Sequence, residues 1–301
     1  MRFAIGGESR RGGRSINEDR IGHWRSAEAL LMVVADGLGG HAHGEVAAQM
    51  AVEHLAEAFA AQARPKVANP AFFLTRSLEG AHAAIVHEAR ARGLKDFPRT
   101  CIAACLVQDG CAHWTHIGDC RLYVVREGRI LLRTRDHSVV QRLIDEGRIR
   151  EEAAASHPER NRLFQCLGGV QLPRFDPPAE HRLQRDDVLL LCSDGFWGPL
   201  TQRQLVHGFL GDDVEAAVAE LAGLAEARGG PQCDNVSVVA MRWREDAPVE
   251  DDSPRTIPQA EPATHVQDFG ATQPDYLHLS DEDIDKAIAE IRAALRRNAT
   301  G

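Results

Sequence analysis

The sequence has no run of 18 apolar residues, so no segment of it is long enough to cross a bilayer as a hydrophobic helix. Its first residues, MRFAIGGESRRGG, lack the apolar core of a secretory signal peptide, and the expectation is a cytoplasmic protein. A basic surplus is missing too. With 35 Lys+Arg against 44 Asp+Glu the formal charge is −9, which offers none of the positive field that nucleic-acid binding needs. No internal repeat is visible. The seven cysteines, at 101, 105, 111, 120, 166, 192 and 233, form no C-x-x-C and sit mostly inside apolar runs, so reduced thiols are expected rather than a disulfide framework. His113 and His116 stand three apart without a second ligand pair, which argues against a structural zinc site.

What is present is a chain of 301 residues, 44% hydrophobic and 26% charged, long enough for one large globular body with an appendage. Most of the negative charge lies at one end: residues 246–301 hold 12 Asp/Glu against 5 Lys/Arg. Within that part, 246–279 is acidic and carries five prolines, too poor in large apolar residues to fold alone, and is expected to be a disordered linker. Beyond it, 280–298 has the pattern of a short amphipathic helix, with Ser280 as N-cap, Ile284, Ile288, Ile291 and Leu295 on one stripe, and Arg296-Arg297 at its end.

Residues 1–245 alternate strands and helices. The expected strands are LLMVVA (30–35), CIAACLV (101–107), AHWTHI (112–117), RLYVV (121–125), ILLR (130–133), VLLLC (188–192) and VSVVAMR (236–242). Two helices lie between the first two. One sets Glu45, Gln49, Glu53 and Glu57 opposite Val46, Met50, Ala51, Leu55 and Phe59, and the other buries Leu74, Leu78, Ala81 and Ile85. Strands close enough to join by hairpins, as at Glu127-Gly128, make antiparallel sheets, so the fold class is α+β rather than doubly wound. Residues 134–187 are less regular, with a helical SVVQRLIDEG and a loop-like HPERNRLFQCLGG, and are expected to lie over the surface as an insertion.

The chemistry is suggested by acids at strand ends. Apolar strands run into Asp36, Asp119 and Asp194, another follows Asp234, and Glu18-Asp19 precede the first strands. One Asp-Gly is simply a turn signal. Four or five carboxylates on one rim, however, would repel one another unless cations neutralise them. Oxygen-only ligation selects Mg²⁺ or Mn²⁺, and two such ions about 4 Å apart can acidify a shared water for in-line attack on a phosphoester. A carbonyl at Gly37 would add a ligand where the chain can approach closely. Arg14, four residues before Glu18, could grip two phosphate oxygens.

The order of GGRSINED (12–19), VVADGLGGHAHGEVAA (33–48), RTCIAACLV (99–107), HIGDCRLYVVREGRI (116–130), RDHSVV (135–140), HPERNRLFQCLGG (157–169), DVLLLCSDGFWGPL (187–200) and DNVSVVA (234–240) resembles the motifs of the metal-dependent protein phosphatases, the type 2C serine/threonine phosphatases. The resemblance implies an α-β-β-α four-layer sandwich with a two-metal site at its edge. Asp36 then matches the ligand bridging both ions and Gly37 the carbonyl ligand; Asp194 and Asp234 match carboxylates of the first ion; Glu18 matches the second, with Asp19 beside it. Asp119 resembles the acid of a third, weaker site, Arg14 the phosphate-binding arginine, and residues 140–185 the flap. Where eukaryotic members often carry a histidine after the Asp-Gly, this chain has Leu38, which leaves protonation of the leaving group without an owner; His41 is one candidate. The family's Gly-Thr-Thr and Gly-Asp-Ser stand here as Arg99-Thr100-Cys101 and Gly118-Asp119-Cys120.

The activity so implied is hydrolysis of phosphoserine and phosphothreonine on proteins, opposing a serine/threonine kinase. Two rivals remain. Cys120 and Arg126 have the C-x₅-R spacing of cysteine-dependent phosphatases, although the residues between them are strand formers rather than an anion-binding loop. A catalytically silent phosphoprotein-binding scaffold on the same fold is the other, and failure to cleave para-nitrophenyl phosphate with Mn²⁺ would favour it. In the tail, Thr272-Gln273-Pro274-Asp275 has the Thr-x-x-Asp form that forkhead-associated domains read once phosphorylated.

Overall fold

The computed structural model describes residues 1–39 and 43–245, together with a two-residue strand at Gln267–Asp268. His41, the helix at 280–298, Thr272 and most of the 246–279 linker lie outside the described residues.

The long apolar runs are strands with both faces buried. In β3 (Ala29–Gly37), Leu30, Met32 and Val34 face one way and Leu31, Val33 and Ala35 the other, all with no exposure. The same alternation holds in β4 (Thr100–Gln108), β9 (Val188–Cys192) and β10 (Val236–Trp243). A strand buried on both sides needs a layer on each side, which is why these runs read as continuous rather than alternating. The remaining strands are β1 (Phe3–Arg10), β2 (Arg20–Arg25), β5 (Cys111–Ile117), β6 (Arg121–Arg126), β7 (Arg129–Arg133), β8 (Ala179–Arg182) and β11 (Gln267–Asp268).

They form two antiparallel sheets, in the orders β1-β10-β9-β6-β7 and β11-β2-β3-β4-β5-β8. The inner faces meet in a core that includes Met32, Cys105, Leu122, Leu191 and Met241. Outside the second sheet pack α1 (Gly44–Gln62) and α2 (Pro70–Ala91), through Ala47, Ala51, Leu55, Phe59, Leu74, Leu78 and Ile85. Val46 and Met50, expected on the buried stripe of α1, sit on its flank, half-buried. Outside the first sheet lie α5 (Gln202–Gly208) and α6 (Val214–Gly229). The α-β-β-α sandwich is thus realised in full.

Local chemistry sets the boundaries. Asn69 caps α2 by accepting from the Phe72 amide, with Pro70 in the first turn, and Asp213 caps α6 through the Ala216 amide. The expected turn at Glu127-Gly128 has both residues at positive φ, 49° and 71°, and Asp109-Gly110 repeats it at 54° and 69°. Such turns match the twist of the strands they join.

The segment after β7 is more integrated than a surface insertion. It begins with α3 (Val139–Asp145), capped by Ser138, yet Leu167 is fully buried and exchanges backbone hydrogen bonds with Thr100 at 2.9 and 3.2 Å. Gly168, at φ 86°, lies against the Pro98 carbonyl where any Cβ would collide, and its end, β8, joins the sheet beside β5. Edge pairing and one buried leucine tie it down at points that its irregular pattern does not announce.

Candidate functional site

One end of the sandwich gathers strand ends from both sheets. The C-terminal ends of β3, β5 and β9 and the N-terminal ends of β2, β4, β6 and β10 meet there, because neighbours in both sheets run antiparallel. That places Asp36, Asp119, Asp194, Asp234, Glu18 and Asp19 together, each of the acids expected from the sequence.

Asp36 is the penultimate residue of β3, and its carbonyl accepts from Thr100 Oγ1 at 2.8 Å. Asp194 opens the short α4 (Asp194–Trp197) directly after β9. Asp234 precedes β10, with its Oδ1 accepting from the Asn235 amide at 2.8 Å and its Oδ2 from Arg14 Nη2 at 2.6 Å. Asp119 lies in the turn between β5 and β6, where the Trp197 indole donates to its carbonyl at 3.0 Å and the Arg121 guanidinium stacks 3.3 Å over the Trp197 ring. Glu18 is joined to the group by its backbone: its amide donates to Asn235 Oδ1 at 2.8 Å and its carbonyl accepts from Gly37 at 3.2 Å.

Gly37 has to be glycine for a steric reason. A Cβ there would stand 2.5 Å from the Gly44 carbonyl oxygen and 2.8 Å from that of Glu18, where three backbone segments converge. Gly37→Ala is expected to push α1 off the strand end, lowering both thermal stability and turnover; circular dichroism melts and phosphate release check it.

Asp19 is 1% exposed. Its Oδ2 accepts from Ser193 Oγ at 2.7 Å, and its Oδ1 is buried with no hydrogen-bond partner among the described residues. The others are half-buried by surface area but ringed by protein and by one another. Burial pushes the Asp19 carboxyl up to about 7, with the charges of Asp194 and Asp234 adding to it and Ser193 and Ser237 opposing. Burial and Asp194 take Asp119 to about 8, and burial and Asp234 take Asp194 to about 6. Asp36, enclosed and facing Asp19, Asp194, Asp119 and Asp234, lies well above the usual carboxylate range. Burial also raises Glu18, with Glu45 and Asp234 adding and Arg14 opposing.

Repulsion of this size among carboxylates, together with an orphaned buried oxygen on Asp19, fits a centre completed by cations. The donors are all oxygen, which suits Mg²⁺ or Mn²⁺. Asp19, Asp36, Asp194, Asp234, Glu18 and the Gly37 carbonyl could hold them, with Asp119 at the margin.

Residues that the sequence did not single out hold this group in place. Asn235 is one: its Nδ2 donates to the carbonyls of Arg11 at 2.7 Å and Ile16 at 3.0 Å while its Oδ1 takes the Glu18 amide. The only signal was its place beside Asp234. Asn235→Ala removes all three bonds and should cost about 2 kcal/mol, read as a lower urea midpoint, with reduced activity because Glu18 loses its anchor. Ser193, which bonds Asp19 and takes the Ser237 amide at 3.0 Å, is the other.

The cysteine-nucleophile reading fails on geometry. Cys120 has no exposure and burial drives its thiol pKa up, the opposite of a nucleophile. Arg126 lies at the far end of β6, roughly 20 Å along an extended strand, and pairs with Asp187 at 2.6 and 2.7 Å. Cys120→Ser is expected to keep phosphatase activity within a few-fold of the parent. All seven cysteines are free, and His113 and His116 point to opposite faces of the sheet, as residues three apart on a strand must.

A family model described as protein phosphatase 2C matches residues 6–230. The chain belongs to the protein phosphatase 2C family. It is 32% identical over 232 residues to a putative protein phosphatase 2C-type of Streptococcus pyogenes, covering 76% of this chain and 92% of that one. To the serine/threonine protein phosphatase PstP of Mycobacterium tuberculosis it is 35% identical over 231 residues, 75% of this chain but 42% of the relative, so it matches less than half of that protein's length. Among solved structures, the catalytic domain of a serine/threonine protein phosphatase PstP in complex with two manganese ions superposes with a TM-score of 0.69 at 29% identity, covering 81% of this chain and 99% of that one. No described helix is long and apolar enough to cross a membrane.

Proposed function

We propose that this chain is a metal-dependent protein phosphatase that removes phosphate from phosphoserine and phosphothreonine. The observation that carries the reading is the group of enclosed, mutually repelling carboxylates around Asp36, with the Asp19 Oδ1 left without a donor among the described residues. When bound, two Mn²⁺ or Mg²⁺ ions polarise the phosphoryl group and acidify the attacking water. Asp36 would serve both ions, with the Gly37 carbonyl, Asp194, Asp234 and Glu18 as further ligands and Asp19 beside them through the oxygen that meets no donor among the described residues. Asp119 serves a third ion.

Arg14 faces the same carboxylates with its side chain half exposed. Its guanidinium is placed to exchange Asp234 for two phosphate oxygens as substrate arrives, which orients the phosphoryl group and offsets its charge. Ser193 and Asn235 fix the acids beneath, so that little reorganisation is left to the reaction.

The expected substrates are phosphoproteins made by a partner serine/threonine kinase. The tail around Thr272, once phosphorylated, would dock a forkhead-associated domain, and Thr272→Ala would abolish that binding. The decisive experiment is release of phosphate from phosphoserine and phosphothreonine peptides with Mn²⁺, after EDTA, and with the chain cut at residue 245. Turnover that survives EDTA, or none with Mn²⁺ present, would overturn the proposal, the second outcome favouring a binding scaffold.

A further inference from the structure

A second cluster of metal-binding side chains lies at the opposite end of β5 from the carboxylates. Ala112 and Trp114 face the core between the sheets, so Cys111 and His113 share the outer face. β8 pairs with this strand, setting Glu180 across from His113. The Cys111 sulfur, an imidazole nitrogen of His113 and a carboxylate oxygen of Glu180 lie within 4.8 Å of one another, and His113 Nδ1 is 3.4 Å from Glu180 Oε2.

Three features separate this cluster from a chance surface group. Its donors are a sulfur, an imidazole and a carboxylate, a mixed set that suits zinc and not magnesium or calcium. Two of the three side chains are held low on the sheet: Cys111 is half-buried with its thiol 3.4 Å from the His181 carbonyl, and the His113 side chain is 15% exposed. All three stand on hydrogen-bonded neighbouring strands, so the ladder fixes their backbones. Glu180, 74% exposed, has the freedom to swing the short distance that brings three ligands to a common centre at bond lengths of about 2.0–2.3 Å. Arg182, across from Cys111, is exposed and can extend into solvent; Asp109, nearby, adds negative charge.

The geometry points to a zinc site formed by Cys111, His113 and Glu180, with a fourth position open to water, that staples β8 to β5. β8 is a four-residue edge strand, mostly exposed, and it is where the segment after β7 returns to the body. A strand so short and so little buried has few contacts of its own, and a cross-strand metal would supply what packing does not. The site is separate from the phosphatase centre, lying roughly 20 Å away along the strand, and needs no part of that reading to hold.

The test uses the full chain, stripped of metal and then saturated with Mg²⁺ so that the oxygen-rich centre is filled. Titrated Co²⁺ should produce a thiolate-to-cobalt charge-transfer absorption that saturates at one ion per chain and is displaced by Zn²⁺. The band should vanish in Cys111→Ser and persist in Asp36→Asn. Glu180→Gln, an exposed change that leaves the fold alone, should weaken Zn²⁺ binding about tenfold or more. Amide exchange at residues 179–182 should slow with Zn²⁺ in the parent and not in Cys111→Ser. Absence of the band in the parent, a band that survives Cys111→Ser, or Zn²⁺ affinity unchanged in Glu180→Gln would each overturn the assignment.

Discussion

Asp36→Asn is expected to lower phosphatase turnover about a thousandfold, the upper end of what removing one preorganised electrostatic group costs. The substitution keeps the shape of the side chain and removes its charge. Burial and the acids around it, Asp19, Asp194, Asp119 and Asp234, already hold the Asp36 carboxyl well above its usual range, and an asparagine is neutral there without needing a proton. The variant should therefore fold, and with EDTA present should melt no lower than the parent, because folding no longer has to protonate a carboxyl that is ionised in the unfolded chain. Activity and stability move in opposite directions under this reading. A structural role for Asp36 would lower both, and turnover within tenfold of the parent would refute the role assigned to it; a melting curve and a phosphopeptide assay on the same preparation separate the cases.

How much of this was legible beforehand depended on whether a residue's neighbours in space were also its neighbours in sequence. β3, β4, β9 and β10 were readable because burial on both faces writes an uninterrupted apolar run. β1, FAIGGESR, and β2, RIGHWR, were not. Gly6 serves a tertiary contact, a Cβ there standing 2.9 Å from the Cα of Glu215 on α6, and Gly22 leaves room for the ring of Trp24 two residues along the same strand. Those glycines and the terminal charges erase the strand pattern locally, and pairing with β10 and β3 restores it. α6, rich in alanine and glycine, offers too little contrast between its faces to stand out.

The candidate site divides the same way. Its carboxylates announced themselves because each sits beside a strand end, and the structure brings all six together. Asn235 and Ser193 did not, since what they do is bond Arg11, Ile16, Glu18 and Asp19, residues some 170 to 225 positions away in the chain. Cys111, His113 and Glu180 were equally hidden. Short spacing in the chain pairs His113 with His116, which the pleat sends to opposite faces, and carries no sign of Glu180, which only the β5-β8 ladder brings near. Strand registry was the missing information in each case.

The metal-free molecule should lose stability as pH rises from about 5 to about 8, and bound Mn²⁺ or Mg²⁺ should flatten that slope. In the folded chain the Asp194, Asp19 and Asp119 carboxyls are pushed up to about 6, 7 and 8, and Asp36 is raised further still. In the unfolded chain all four return to about 3.9. Between these limits the folded state holds protons that the unfolded state has released, so the unfolding free energy falls with increasing pH. Whatever stability these groups contribute is complete below pH 4 and is lost as pH climbs through the folded values. Each retained proton corresponds to a slope of about 1.4 kcal/mol per pH unit, or about 3–6 °C in melting temperature for a domain of this size. Cations remove the effect by taking the place of those protons, and they bind better as pH rises because the ligands must ionise to receive them. Melting curves in EDTA and in Mn²⁺ across this range should accordingly diverge most at the alkaline end. Parallel curves would mean that the acids ionise freely on folding, and the case for cations at Asp36 would lose its electrostatic footing.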